Sequence, residues 1–293
     1  MKTIIVPVDF SKECLTGLDV ALALAHKVEA NIQLVHVLTG VKNVPHGVLE
    51  QEHNQAIARF EELLGKYPDT EGIKLEYIVK EGKIYKEVTS QAASFEDSVI
   101  VLSAHGKSGF EELFIGSNAY KIASSSTRPV ISVRNCMDFE HVRKIVLPLD
   151  VTFQTREKVP YTAKLAKLFG SEINVVTLAS THVKSIEKKL QEYASQVGTF
   201  LEIHKIPFTI DHLYGGNLTD ITLDYAQSVR ADLISIMTEQ EKSISNLLLG
   251  NYAHQMLNKA EIPVLAFPTY QIGEILDDLR TQGVYFYDDV SGR

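Results

Sequence analysis

The residues with the most chemistry to offer run from Ser103 to Asn118, in the order Ser-Ala-His-Gly-Lys-Ser-Gly-Phe-Glu-Glu-Leu-Phe-Ile-Gly-Ser-Asn. Gly106 and Gly116 let the backbone approach a ligand with no Cβ in the way. The N–H groups near Gly116, Ser117 and Asn118 fall at the start of the next predicted helix, the positive end of its dipole. That is anion-binding chemistry, and phosphate fits it. Lys107 could neutralise such a group, although a loop lysine is as readily solvated. Lys107-Ser108 does not complete a Walker-type loop, which needs a glycine five positions before Gly106, where Val101 stands.

Other candidates are weaker. Asp9 closes the first apolar run, a position that suits a ligand contact and suits equally a carboxylate at the positive end of a following helix. His36 and His105 follow apolar runs, but no third ligand stands at metal spacing, so a satisfied or exposed histidine is the expectation and no metal site is assigned. Cys14 reads as packing. No nucleophile, base and orienting acid can be assembled, so no catalytic residue is assigned.

The elements that position these residues alternate regularly. Residues 3–8, Asn31 to Leu38, Lys74 to Val79, Val99 to Leu102 and Pro129 to Val133 read as strands. Helical spacing joins them over the stretches up to Lys27, Val48 to Lys66, Lys83 to Phe95 and from Ala119 onward. Such alternation predicts a parallel sheet covered by helices on both faces, with right-handed crossovers.

The pattern then begins again. Lys144 to Thr152 repeats Lys2 to Ser11, with Pro148 under Pro7 and Asp150 under Asp9. The second copy continues with a helix from Gln154 to Phe169, a strand from Glu172 to Leu178, a helix from Val183 to His204 and a strand from Phe208 to Tyr214. A helix from Leu218 to Val229, a strand from Asp232 to Met237, a helix opened by Gly250 and a strand from Pro263 to Phe267 complete it. The expected domains are residues 1–138 and 139–270, followed by an acidic and aromatic tail, 271–293. Where the first copy has Gly106, Gly116 and Ser117, the second has Gln240, Gly250 and Asn251, with Glu239 and Glu241 nearby. Carboxylates there repel an anion.

The chain has 293 residues, 45% of them hydrophobic, enough for two cores. A formal net charge of -8 without any Lys/Arg block argues against nucleic acid. Two distant cysteines give no disulfide framework or metal cluster, which fits a reducing, cytoplasmic setting. Nowhere do 18 apolar residues stand together, so no membrane span is expected.

With these residues in view, the chain resembles the universal stress protein family in its tandem form. That family's nucleotide motif is Gly-x-x-Gly, nine residues, then Gly followed by Ser or Thr. The first copy reads Ser103-Ala104-His105-Gly106, nine residues from Lys107 to Ile115, then Gly116-Ser117, with Ser103 in place of the first glycine. The strand ends Pro7-Val8-Asp9 and His36-Val37-Leu38 also look like the family's adenine-side elements. The resemblance implies two Rossmann-like domains of the adenine nucleotide alpha hydrolase type, each a five-stranded parallel sheet of order 3-2-1-4-5 flanked by helices. It implies ATP, with or without Mg²⁺, in the first domain: Asp9, beside Pro7, and the Val37 backbone at adenine, Gly106 at ribose and phosphates, Gly116, Ser117 and Asn118 at the phosphate tail. In that order strands one and four part at their carboxyl ends, opening a crevice bordered by Asp9 and Ser103.

The expected function is a stress-response regulatory protein that binds ATP in its first domain and acts on a protein partner. Two alternatives stand beside it: a nucleotide-independent adaptor in which Ser103 has closed the site, and a slow ATPase or adenylyl-transferring enzyme. The fifth strands, Val130 to Val133 and Val264 to Phe267, are expected to pair within the chain, as in a dimer of single domains, and a further homodimer is plausible.

Overall fold

The first strand, β1 (Thr3–Pro7), is wholly apolar after Thr3, and its Ile4, Ile5 and Val6 are fully buried. A strand without a polar face must be covered on both sides, and the rest of the chain supplies the cover. A computed structural model describes residues 1–40, 45–67, 70, 72–104, 117–135, 139–238 and 246–268. After β1 come α1 (Lys12–Val28), β2 (Asn31–Leu38), α2 (His46–Leu64), β3 (Leu75–Glu81), α3 (Ile84–Ala93), β4 (Ser98–Ser103), α4 (Ser117–Ser125) and β5 (Val130–Val133). The second repeat runs β6 (Lys144–Leu149), a 3₁₀ turn (Phe153–Arg156), α5 (Val159–Phe169), β7 (Glu172–Ala179) and α6 (Lys184–Ile203). It ends with β8 (Phe208–Tyr214), α7 (Leu218–Val229), β9 (Leu233–Thr238), α8 (Asn246–Lys259) and β10 (Val264–Pro268).

Among the described residues ten strands join one sheet of order β3-β2-β1-β4-β5-β10-β9-β6-β7-β8. Every neighbouring pair is parallel except the central one, where β5 and β10 run antiparallel with Leu265 opposite Ile131. This seam pairs what would otherwise be two apolar strand edges. Successive residues of a strand feed opposite faces: Ile4 and Val6 enter one core with Leu18, Leu24 and Ile145, while Ile5 enters another with Val88, Ile122 and Ile234. Each core therefore runs through both repeats.

Two helices depart from the sequence expectation. The helix expected from Gln154 is divided into a 3₁₀ turn and α5, with Pro160 in the first turn of α5. Proline lacks an N–H and clashes with a preceding turn, so it starts a helix better than it continues one. The last helix begins at Asn246 rather than at Gly250. Leu247, Leu248 and Leu249 are strong helix formers, and one glycine costs only about 1 kcal/mol within a helix. The tail 271–293 lies outside the described residues.

Candidate functional site

β1 and β4 are neighbours, yet their chains leave the sheet toward different partners, and a crevice of about 150 Å³ opens where they end. Pro7, Val8 and Asp9 come to it from β1 and its exit, Val35, His36 and Val37 from β2. Leu102, Ser103 and Ala104 enter from the end of β4, and Asn118, Ala119 and Ile122 from α4. Of the residues singled out in the sequence, Pro7, Asp9, Val37, Ser103 and Asn118 thus border one space. Ser117 opens α4. Gly106, Lys107 and Gly116, with His105, lie outside the described residues.

The turn after β1 is set by Asp9. Its Oδ1 accepts the backbone N–H of Ser11 at 2.9 Å and the Ser11 hydroxyl. Ser11 in turn caps α1, its Oγ accepting the N–H of Cys14 at 3.2 Å. The second repeat builds the same turn, Thr152 donating its N–H to Asp150 Oδ1 at 2.7 Å. One oxygen of this aspartate is therefore structural in both repeats. The other oxygen of Asp9 makes no hydrogen bond among the described residues, so it can accept one from a ligand.

Between Asp9 and Ser11, Phe10 sits at φ 61°, a left-handed conformation that costs a non-glycine residue about 1 kcal/mol or more. Its ring packs at 4.8 Å from His36 and edge-on at 4.9 Å from Phe60, with the Arg59 guanidinium 5.4 Å from its centroid. His36 is held as well, its Nδ1 lying 2.7 Å from the Val8 carbonyl. That bond ties β2 to the exit of β1. Among the described residues no group of three potential metal-binding side chains occurs. The Cys14 thiol donates to the Ser11 carbonyl at 3.0 Å, and burial, aided by Asp9, raises its pKa.

Ser103 completes the wall. Gly17 of α1 packs so closely on the end of β4 that a Cβ there would stand 3.1 Å from the Ser103 nitrogen. The hydroxyl of Ser103 is buried and has no hydrogen-bond partner among the described residues. A buried hydroxyl left unpaired costs about 1–3 kcal/mol, so it favours any ligand that brings a partner.

The same end of the sheet differs in the second repeat. Lys158, eight residues after Asp150 as Gly17 is after Asp9, is buried and donates to the Thr155 carbonyl at 2.6 Å. Burial lowers its pKa to about 8, against the opposing pull of Asp150 and Glu157. Tyr252, two residues after Gly250 as Asn118 is after Gly116, places its hydroxyl 3.3 Å from that of Thr222. Burial raises the pKa of Tyr252, and the charge of Asp150 adds to the rise.

Sequence reasoning missed Ile84, which lines the crevice from the start of α3, and the second-repeat residues Lys158 and Tyr252. The constant spacing between the repeats is the signal that could have found the last two.

Comparison with known proteins gives the following. The model of the universal stress protein family matches residues 1–134 and again 141–268. Universal stress protein YxiE of Bacillus subtilis is 28% identical over 143 residues, covering 44% of this chain and 97% of that protein. Universal stress protein Slr1230 of Synechocystis is 22% identical over 172 residues, 58% of this chain and 57% of that one. The crystal structure of a universal stress protein from Archaeoglobus fulgidus has the same fold at TM-score 0.73 and 17% identity, covering 91% of this chain and 96% of that one.

Proposed function

The chain belongs to the universal stress protein family as two such domains in tandem, and from that premise we propose that its first repeat binds ATP in the Asp9 crevice and thereby regulates a protein partner in the stress response. The observation that carries this reading is the buried Ser103 hydroxyl, without a partner among the described residues, in a crevice that Asp9 and Asn118 also border. In a Rossmann-like sheet of order 3-2-1-4-5 this crevice is the switch point, where such folds bind their ligands.

The crevice is smaller than the roughly 300–1,000 Å³ of a typical ligand pocket, so it suits the base and part of the ribose. The free oxygen of Asp9 accepts the adenine amino group, and the Ser103 hydroxyl pairs with the ribose. Gly106, Lys107, Gly116 and Ser117 are assigned to the phosphates, and Mg²⁺, where present, accompanies them. Binding is confined to domain 1 (residues 1–138). In domain 2 (residues 139–270) Tyr252 and Lys158 fill the corresponding end, and Glu239 and Glu241 repel phosphate. Turnover is slow at best, because among the described residues no activated nucleophile borders the crevice. The protein works as a cytoplasmic regulator. Among the described residues no helix is long and apolar enough to cross a membrane.

A second reading is a nucleotide-independent adaptor, favoured by the small crevice and by serine in place of the motif's first glycine. Thermal unfolding with ATP, GTP or neither separates the two. An ATP-selective rise in Tm supports the first, since a ligand that binds only the folded state stabilises it. No shift at saturating ATP supports the adaptor.

A further inference from the structure

At the other end of the strands from the Asp9 crevice lies a larger cleft, of about 500 Å³. The first repeat contributes Asp97 and Ser98, where the chain enters β4, and Arg128 and Pro129, where it enters β5. The second repeat contributes Tyr161, Lys164, Leu165 and Leu168, whose spacing puts them on one face of α5. The volume is that of a ligand pocket, and such pockets favour boundaries between domains.

Several of its charges have local explanations. Lys27 and Lys167 stand in the last turns of α1 and α5, where they complement the carbonyl ends of their helices. Asp97 pairs with the α-amino group of Met1 at 2.6 Å. Glu29 and Glu96 are exposed, so solvent and salt screen them.

Arg128 has no such account. Its backbone is fixed by Ser126, which accepts the Arg128 N–H at 2.9 Å and donates its hydroxyl to the Arg128 carbonyl at 2.7 Å. Its Nε is nevertheless buried with no hydrogen-bond partner among the described residues. A guanidinium edge in that state calls for an acceptor, and an oxyanion meets it with two parallel bonds. Lys164 adds an exposed ammonium on the same cleft, and Leu165, Leu168 and Val28 add apolar surface.

We propose that this cleft binds an amphipathic organic oxyanion, a carboxylate, sulfonate or phosphate monoester whose acid group is held by Arg128 and Lys164 and whose apolar body lies on α5. Such a ligand touches both repeats and holds them in one arrangement. The site is independent of ATP.

The test is a fluorescence titration of the full chain with 8-anilinonaphthalene-1-sulfonate, an aryl sulfonate of suitable size. One saturable site per chain that ATP does not displace is expected. Arg128→Gln and Lys164→Glu should each weaken binding about tenfold, and Lys188→Gln on α6 should leave it unchanged. Absence of a saturable site, displacement by ATP, or wild-type affinity in Lys164→Glu overturns the proposal. Because Lys164 is exposed, that variant decides the matter even if Arg128→Gln does not fold.

Discussion

The Tyr252 hydroxyl lies 3.3 Å from the Thr222 hydroxyl, at the helix position from which, in the first repeat, Asn118 borders the crevice. The helix position that borders the crevice in the first repeat thus carries an aromatic ring in the second. Tyr252→Asn should destabilise the chain by about 2–4 kcal/mol, because it empties packed volume. Tyr252→Phe keeps the ring and should cost only about 0.5–1.5 kcal/mol. Urea unfolding measures both, and equal losses would contradict the packing role.

Lys158 makes stability depend on pH. Its folded pKa is about 8 against an ordinary 10.5, so between those values the unfolded chain binds more protons and stability rises with pH. Glu157 acts in the opposite sense. Burial raises its pKa from 4.5 to about 7, so the folded chain binds more protons in that window and stability falls as pH rises through it. Together they predict a minimum near neutrality. Lys158→Met should raise stability at neutral pH by roughly 2 kcal/mol and remove the alkaline rise. Denaturant midpoints across the range test this, and an unchanged alkaline rise in the variant would contradict it.

Ser103→Ala removes a buried hydroxyl that has no partner among the described residues. Stability without ligand should stay level or rise by about 1 kcal/mol, while ATP binding weakens about fivefold. A variant that loses stability and keeps its affinity would show that the hydroxyl serves the fold instead.

Phe10 provides a backbone test. Phe10→Gly and Phe10→Ala both lose the ring contacts with His36 and Phe60, but only glycine adopts φ 61° freely. The glycine variant should be more stable than the alanine variant by about 1 kcal/mol, the reverse of the usual order. The usual order would mean that the turn relaxes when the ring is gone.

Much of this fold is legible because its strands are local signals. Runs such as Val99-Ile100-Val101-Leu102 have no polar face and so call for burial on both sides, and Pro148 and Asp150 under Pro7 and Asp9 expose the repeat. The less legible features depend on distant packing. The φ of Phe10 is held by His36 and Phe60, and the cleft at Arg128 exists only once α5 lies against the first repeat. Local cues also misled: Gly250 resembles a helix start, yet the leucines before it are already helical.

Nucleotide binding in the Asp9 crevice is tested by calorimetric titration of ATP into the wild type and into Asn118→Tyr, which gives the first repeat the tyrosine of the second. One ATP per chain is expected for the wild type and none for the folded variant. No binding to the wild type, or equal binding to both, would contradict it.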